Sequence, residues 1–269
     1  MGKFLSYVPK TFPRSHVMKI EFVPLLQLQR DLYDMPRGQA RFQAYLDTLL
    51  NAEASDAELL PMVAMNPMGK AHIPAMLDTL IAMDAEAIAE GAIADVSNQR
   101  ADAPEVFKLG LVVADDLMGG WTNRYTSEFG IRFELQNYLK RRWLTVTLWT
   151  SEAPSAPKVR EETLVTVYRV AYIQRHGFAH TLQEMLNQEG YAMAMAGCQH
   201  PALDDDDMAY TRQVISPHLA TQDYATILPC LFGDPAAHSL GYQPQGLSDR
   251  AGLALALAQA QHPHPIRSN

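Results

Sequence analysis

The sequence predicts a helix-dominated α/β or α+β protein with a small central sheet, and three observations carry that prediction. Two short apolar runs, Phe107–Ala114 (FKLGLVVA) and Trp143–Trp149 (WLTVTLW), have the β-branched or aromatic make-up of strands. Helix-compatible sequence, roughly residues 127–142, lies between them, and a longer helical pattern from Pro157 to Gly190 follows the second. Much of the rest is rich in Ala, Leu and Met, which are good helix formers. The resulting strand–helix–strand–helix unit, about residues 107–190, favours parallel strands joined by a right-handed crossover. Two strands alone make no stable sheet, so a third is expected from Phe4–Val8, Val17–Phe22 or Tyr191–Ala196.

Taken in order, residues 17–51 read as helical, with Pro24 and Pro36 separating Leu25–Tyr33 from Gly38–Leu50. Ser55 followed by Glu58 has the form of a capping box, opening a helix kept short by Pro61 and Pro67. The stretch KAHIPAMLDTLIAMDAEAIAEG, residues 70–91, reads as one strong helix. Its Met76 and Met83 pack, and His72 is an ordinary surface or cap-region histidine. The polar segment 97–104, ending in Pro104, divides the chain into an N-terminal helical part, residues 1–98, and a mixed part with the sheet, residues 105–269, or joins them within one body. At about 100° per residue, Leu164, Val167, Tyr168, Ala171, Phe178, Ala179, Leu182, Met185 and Leu186 share one arc. One helix through Gly177 is the simple reading; a break at residues 175–177 is the alternative, because glycine inside a helix costs about 1 kcal/mol. Beyond Gly197 the chain loosens through Asp204–Asp207, and 222–231 and 248–261 form short helices.

Composition narrows the function. At 269 residues the chain can bury a substantial core. A net charge of −8 argues against a nucleic-acid partner, whose phosphates need Lys and Arg. No apolar run reaches the length of a membrane span. Two cysteines make no disulfide framework, and with no leader-like start the expectation is a soluble, cytoplasmic protein. A homo-oligomer remains open.

Two constellations are candidate sites. The first follows the strand at 107–114, where parallel sheets place ligands. Asp116 and Glu162 supply carboxylates for acid–base work. Asp115, Gly119, Gly120, Trp121, Arg124 and Glu161 supply substrate contacts, with Arg124 as an anion clamp and the glycine pair admitting backbone amides. The second is His176, His180 and Glu184, spaced for metal ligands, with a divalent ion as the cofactor it would hold. One ion cannot take all three from a straight helix, because they span about 12 Å. Glu162 and His176 would lie about 21 Å apart on one straight helix, so the two constellations are rivals. The function expected is an enzyme of hydrolase or lyase type on a small polar or anionic substrate, aided by a divalent metal. The alternative is a non-catalytic helical interaction or ligand-binding protein.

Overall fold

Of the three segments able to supply a third strand, Lys19–Phe22 does so in the computed structural model, which describes residues 18–97, 106–117 and 123–262. Phe4–Val8 lies outside those residues, and Tyr191–Ala196 is helical. The sheet is parallel throughout, in the order β1 (Lys19–Phe22), β2 (Val106–Ala114), β3 (Trp143–Trp149). β1 pairs with β2 from Lys19↔Val106 to Phe22↔Leu109, and β2 with β3 from Lys108↔Trp143 to Ala114↔Trp149. β2 and β3 are buried almost end to end, which is why they read as near-continuous apolar runs. β1 is short and half-exposed, so its sequence carries little strand signal.

Side chains complete what the short β1 leaves undone. After Val23, whose amide donates to the Leu109 carbonyl, Pro24 has no amide to donate, and the ladder stops. The buried Gln29 of α1 (Leu26–Leu32) takes over. Its Nε2 donates to the Val113 carbonyl at 2.7 Å, and its Oε1 accepts from the Val113 amide at 2.9 Å. Glu86, on α4 (Ala85–Ser97), caps α1 by accepting from the Leu25 and Leu26 amides at 2.7 and 2.9 Å. Between these helices lie α2 (Gln39–Leu49), a 3-10 helix (Leu60–Ala64) and α3 (His72–Ala82).

Several expectations need correcting here. The stretch 70–91 is two helices, α3 and the start of α4, because Asp84 takes a left-handed conformation (φ 55°) between them. Ser55 opens no helix: its amide donates to Asn51 Oδ1 at 2.9 Å, and a bridge pairs Leu50 with Ala57. The segment between β2 and β3 forms α5 (Arg124–Phe133) and the short α6 (Gln136–Lys140).

The single helix through Gly177 is also corrected. α7 (Ala156–His176) ends there, with Gly177 at φ 83°, and α8 (Leu182–Ala196) starts afresh. The start signal is in the sequence: Thr181 accepts from the Glu184 amide while Glu184 accepts from the Thr181 amide, a reciprocal capping box. The shared arc of apolar residues is therefore two stripes on two helices. Leu164, Val167, Leu182, Met185 and Leu186 are buried, whereas Phe178 and Ala179 in the linker are half-buried.

The chain divides into two compact units, one within Val17–Val167 and one within Tyr168–Asn269, and the division falls inside α7. The segment 97–104 is thus flanked on both sides by the first unit, whose sheet pairs strands from before and after it. In the second unit α8 is followed by α9 (Asp205–Ile215), α10 (Tyr224–Phe232), α11 (Asp234–Leu240) and α12 (Ala251–Gln261). α12 is buried all round from Ala251 to Leu257, as expected of a helix without a polar face. It meets α8 closely because Gly190 has no side chain: a Cβ there would lie 2.5 Å from the Ala256 carbonyl oxygen. Within the same unit Arg169 holds Glu189 through two bonds of 2.7 and 2.9 Å, both side chains buried. No helix among the described residues is long and apolar enough to cross a membrane.

Candidate functional site

The carboxyl ends of β2 and β3 gather two polar clusters in the first unit. Asp115 and Asp116 follow β2, and Thr150, Ser151 and Glu152 follow β3. The ladder register sets Ala114 opposite Trp149, so the residues after each strand emerge side by side.

The first cluster is a knot around Arg124. Asn123 N-caps α5 by accepting from the Tyr125 amide at 2.9 Å and the Thr126 amide at 3.3 Å, which places Arg124 at the helix start. Its guanidinium lies over the Trp149 ring, 4.3 Å from the centroid, and donates to Asp116 Oδ2 (2.7 Å), Glu128 Oε2 (3.0 Å), Glu152 Oε1 (2.5 Å) and Ser151 Oγ (3.2 Å). Glu128 also accepts from the buried Arg132, and Glu152 from Lys158, which in turn holds Glu162 at 3.0 Å. Asp116 takes four donors: the Ser151 amide and hydroxyl, Arg124 Nη1, and the Thr150 hydroxyl 3.0 Å from Oδ1. A carboxylate has about four lone-pair sites, so Asp116 is filled. Burial pushes its carboxyl up, but Ser151 and Arg124 outweigh that and hold it below the ordinary value. Such a group is a weak base.

The second cluster is built on Asp115, which is 3% exposed. Asp115 Oδ1 lies 2.8 Å from His72 Nε2, and Oδ2 accepts from Asn66 Nδ2 at 3.0 Å. The Leu117 amide reaches Oδ1 at 3.3 Å; the Thr150 oxygen lies equally far from it, with its one proton directed to the nearer Asp116. Here too burial raises the carboxyl, while His72, Asn66 and Leu117 together hold it below its usual value. An ionised Asp115 only accepts, so the proton of neutral His72 sits on Nε2. The other ring nitrogen, Nδ1, is buried and lacks a hydrogen-bond partner among the described residues.

The sequence-predicted residues are therefore distributed as follows. Asp115, Asp116, Arg124 and Glu162 come together at the strand ends, Glu162 through Lys158. Glu161 is half-buried on α7. Gly119, Gly120 and Trp121 lie outside the described residues. His176, His180 and Glu184 are exposed in the other unit. The His176 ring lies against Tyr172, 4.4 Å between centroids, and Glu184 is engaged by the His180 and Thr181 amides at 2.8 and 3.0 Å. Among the described residues no group of three or more His, Cys, Asp or Glu is arranged to hold a metal.

The sequence reads His72 as an ordinary histidine and gives Asn66 no role, whereas both hold the buried Asp115. Asn66-Pro67-Met68-Gly69 carries a turn signature, and Asn66 does form one: its side chain accepts from the Met68 amide and its carbonyl from the Gly69 amide. What the sequence lacks is any sign that this turn meets Asp115, 49 residues on.

Comparison with known proteins adds little to this geometry. An uncharacterised protein of Bacillus subtilis, YjfC, is 28% identical over 111 residues, which cover 38% of this chain and 37% of that protein. No family model matches the chain, and no solved structure matches it significantly.

Proposed function

We propose that the protein is an enzyme acting on a small polar substrate by general acid–base catalysis at the carboxyl edge of its sheet. His72 is the group that moves the proton and Asp115 its partner. The observation that carries this reading is the state of the His72 ring: Nε2 is tied to Asp115 at 2.8 Å, while Nδ1 is buried with no partner among the described residues. Buried polar atoms are nearly always hydrogen-bonded, so one left bare beside a fixed carboxylate calls for a ligand or water. A neutral imidazole so held can take a proton through Nδ1. The Asp115 carboxylate then stabilises the imidazolium that forms. Hydrolysis, by activating a water, and lyase chemistry, by drawing a proton from carbon, both begin with that step.

The geometry moves the chemistry away from Asp116. Asp116 and Arg124 saturate each other's surroundings, so their role is to hold the ends of β2 and β3 together. Arg124 is already shared among three carboxylates, which leaves it a poor clamp for a substrate anion. A neutral polar substrate therefore fits better than an anionic one. No divalent metal is assigned to this chemistry. Its setting is a reducing one such as the cytoplasm, given two free, buried cysteines.

The test is a turnover screen of the purified protein against carboxylic esters, amides, phosphomonoesters and hydroxy or amino acids, followed by NMR. Turnover in one class, reduced about 100-fold or more in His72→Ala and in Asp115→Asn, is the expected result. Turnover that survives both substitutions removes His72 and Asp115 from the chemistry. No turnover in any class gives the protein to the non-catalytic, ligand-binding reading.

A further inference from the structure

We propose that Asn66 is a positioning residue for His72: it anchors Asp115 and fixes the direction of the hydrogen-bond chain that leaves Nδ1 bare. The proposal rests on the acid–base reading of His72 and extends it by one residue.

A backbone amide can only donate, and the Met68 amide lies 3.0 Å from the side-chain oxygen of Asn66. That contact decides which way round the Asn66 amide sits, because the reverse orientation would set two donors against each other. The nitrogen, Nδ2, must then face Asp115 Oδ2, 3.0 Å away. That bond, with the Leu117 amide at Oδ1, helps to hold Asp115 ionised, and an ionised carboxylate accepts at both oxygens. Its other oxygen faces His72 Nε2 at 2.8 Å, so Nε2 has to donate. The neutral ring has one proton, and it is spent there. Polarity thus runs in one sense from the Met68 amide through Asn66 and Asp115 to the open lone pair of Nδ1.

Asn66 is suited to this because it is fixed from its other side as well. It is 7% exposed, and its carbonyl accepts from the Tyr33 hydroxyl at 2.6 Å and from the Gly69 amide at 2.9 Å. Pro67 follows it and restricts its backbone to extended conformations. The Tyr33 bond also provides a control. It braces the same turn without touching Asp115.

The test is NMR of protein labelled with 15N-histidine, with the His72 signals assigned by their loss in His72→Gln. In the wild type near pH 8 the proton is expected on Nε2, hydrogen-bonded and slow to exchange with water. In Asn66→Leu and Asn66→Ala that exchange should quicken at least about tenfold, the factor that 1.4 kcal/mol represents. Tyr33→Phe should stay within about twofold of wild type, whatever it does to stability, because its bond is to the Asn66 backbone carbonyl and lies outside the chain from Met68 to His72. A wild-type proton on Nδ1 overturns the proposal without recourse to any variant. So does unchanged exchange in both Asn66 variants, or equal acceleration in Tyr33→Phe, which would make Asn66 one more structural contact. Failure of the acid–base reading looks different: it is turnover that survives His72→Ala.

Discussion

Replacing Gln29 with Leu tests whether a side chain does the work of a missing stretch of β1. Gln29 is fully buried, and its amide makes both bonds that a neighbouring strand would give Val113. Leucine fills a similar volume and makes neither. The Val113 N–H and C=O are then left without partners inside the first unit. Each buried orphan costs about 1–3 kcal/mol, so the loss should be about 2–6 kcal/mol. That is a large part of the 5–15 kcal/mol typical of a folded domain. The three tryptophans, Trp121, Trp143 and Trp149, all fall within Val17–Val167, so their fluorescence during urea unfolding follows that unit. Amide exchange at Val113 gives a second readout and should accelerate in step with the stability loss. A loss within about 0.5 kcal/mol, the range of an ordinary surface change, would refute the reasoning and mean that Val113 finds other partners.

Other consequences follow from the same contacts. Leu182→Ala, at a fully buried position on α8, should cost about 2–5 kcal/mol by calorimetry. Glu184→Ala should cost about 0.3–1.5 kcal/mol, because its carboxylate closes the capping box that starts α8; no loss would mean that Thr181 suffices. Gly190→Ala should destabilise by about 1–3 kcal/mol, since the new methyl meets the Ala256 carbonyl at 2.5 Å; a neutral result would show that α8 and α12 can separate freely. Asp116, held below its ordinary value, contributes stability that is complete above about pH 4 and is lost as pH falls through its lower folded value. Stability measured between pH 5 and 2 should therefore fall less steeply in Asp116→Asn than in the wild type.

The parts of the fold that could be read from sequence are those in which one residue pattern has one structural solution. WLTVTLW is a strand from end to end because a parallel strand buried on both faces needs an unbroken run of such residues. β1 was only one of three candidates, since its four residues are half-exposed and its ladder is finished by a glutamine from the next helix. At Gly177 the sequence favours a continuous helix over a break, although Thr181-Leu-Gln-Glu184 spells a helix start four residues later. The apolar arc outweighed it because two helices happened to share a phase.

The candidate site divides along the same line. Asp115, Asp116 and Arg124 were accessible to sequence reasoning because they follow a strand, and position alone placed them at the sheet's carboxyl edge. Position does not say what each group does there. That depends on how many of a group's bonding sites the fold leaves open, a property of contacts between residues far apart in the chain. Asp116 is the conspicuous acid in the sequence, yet four donors fill it, and Arg124 spends its charge on three carboxylates. His72 is inconspicuous, one histidine at the start of an apolar helix, yet it keeps a buried nitrogen with no partner among the described residues. A fully engaged buried charge is costly to disturb, because removing one partner leaves the others buried and unpaired. A buried polar group that is only partly engaged costs stability instead. By that criterion the knot around Arg124 is the scaffold, and the open lone pair of His72 is what marks the pair beside it as the site proposed for acid–base chemistry.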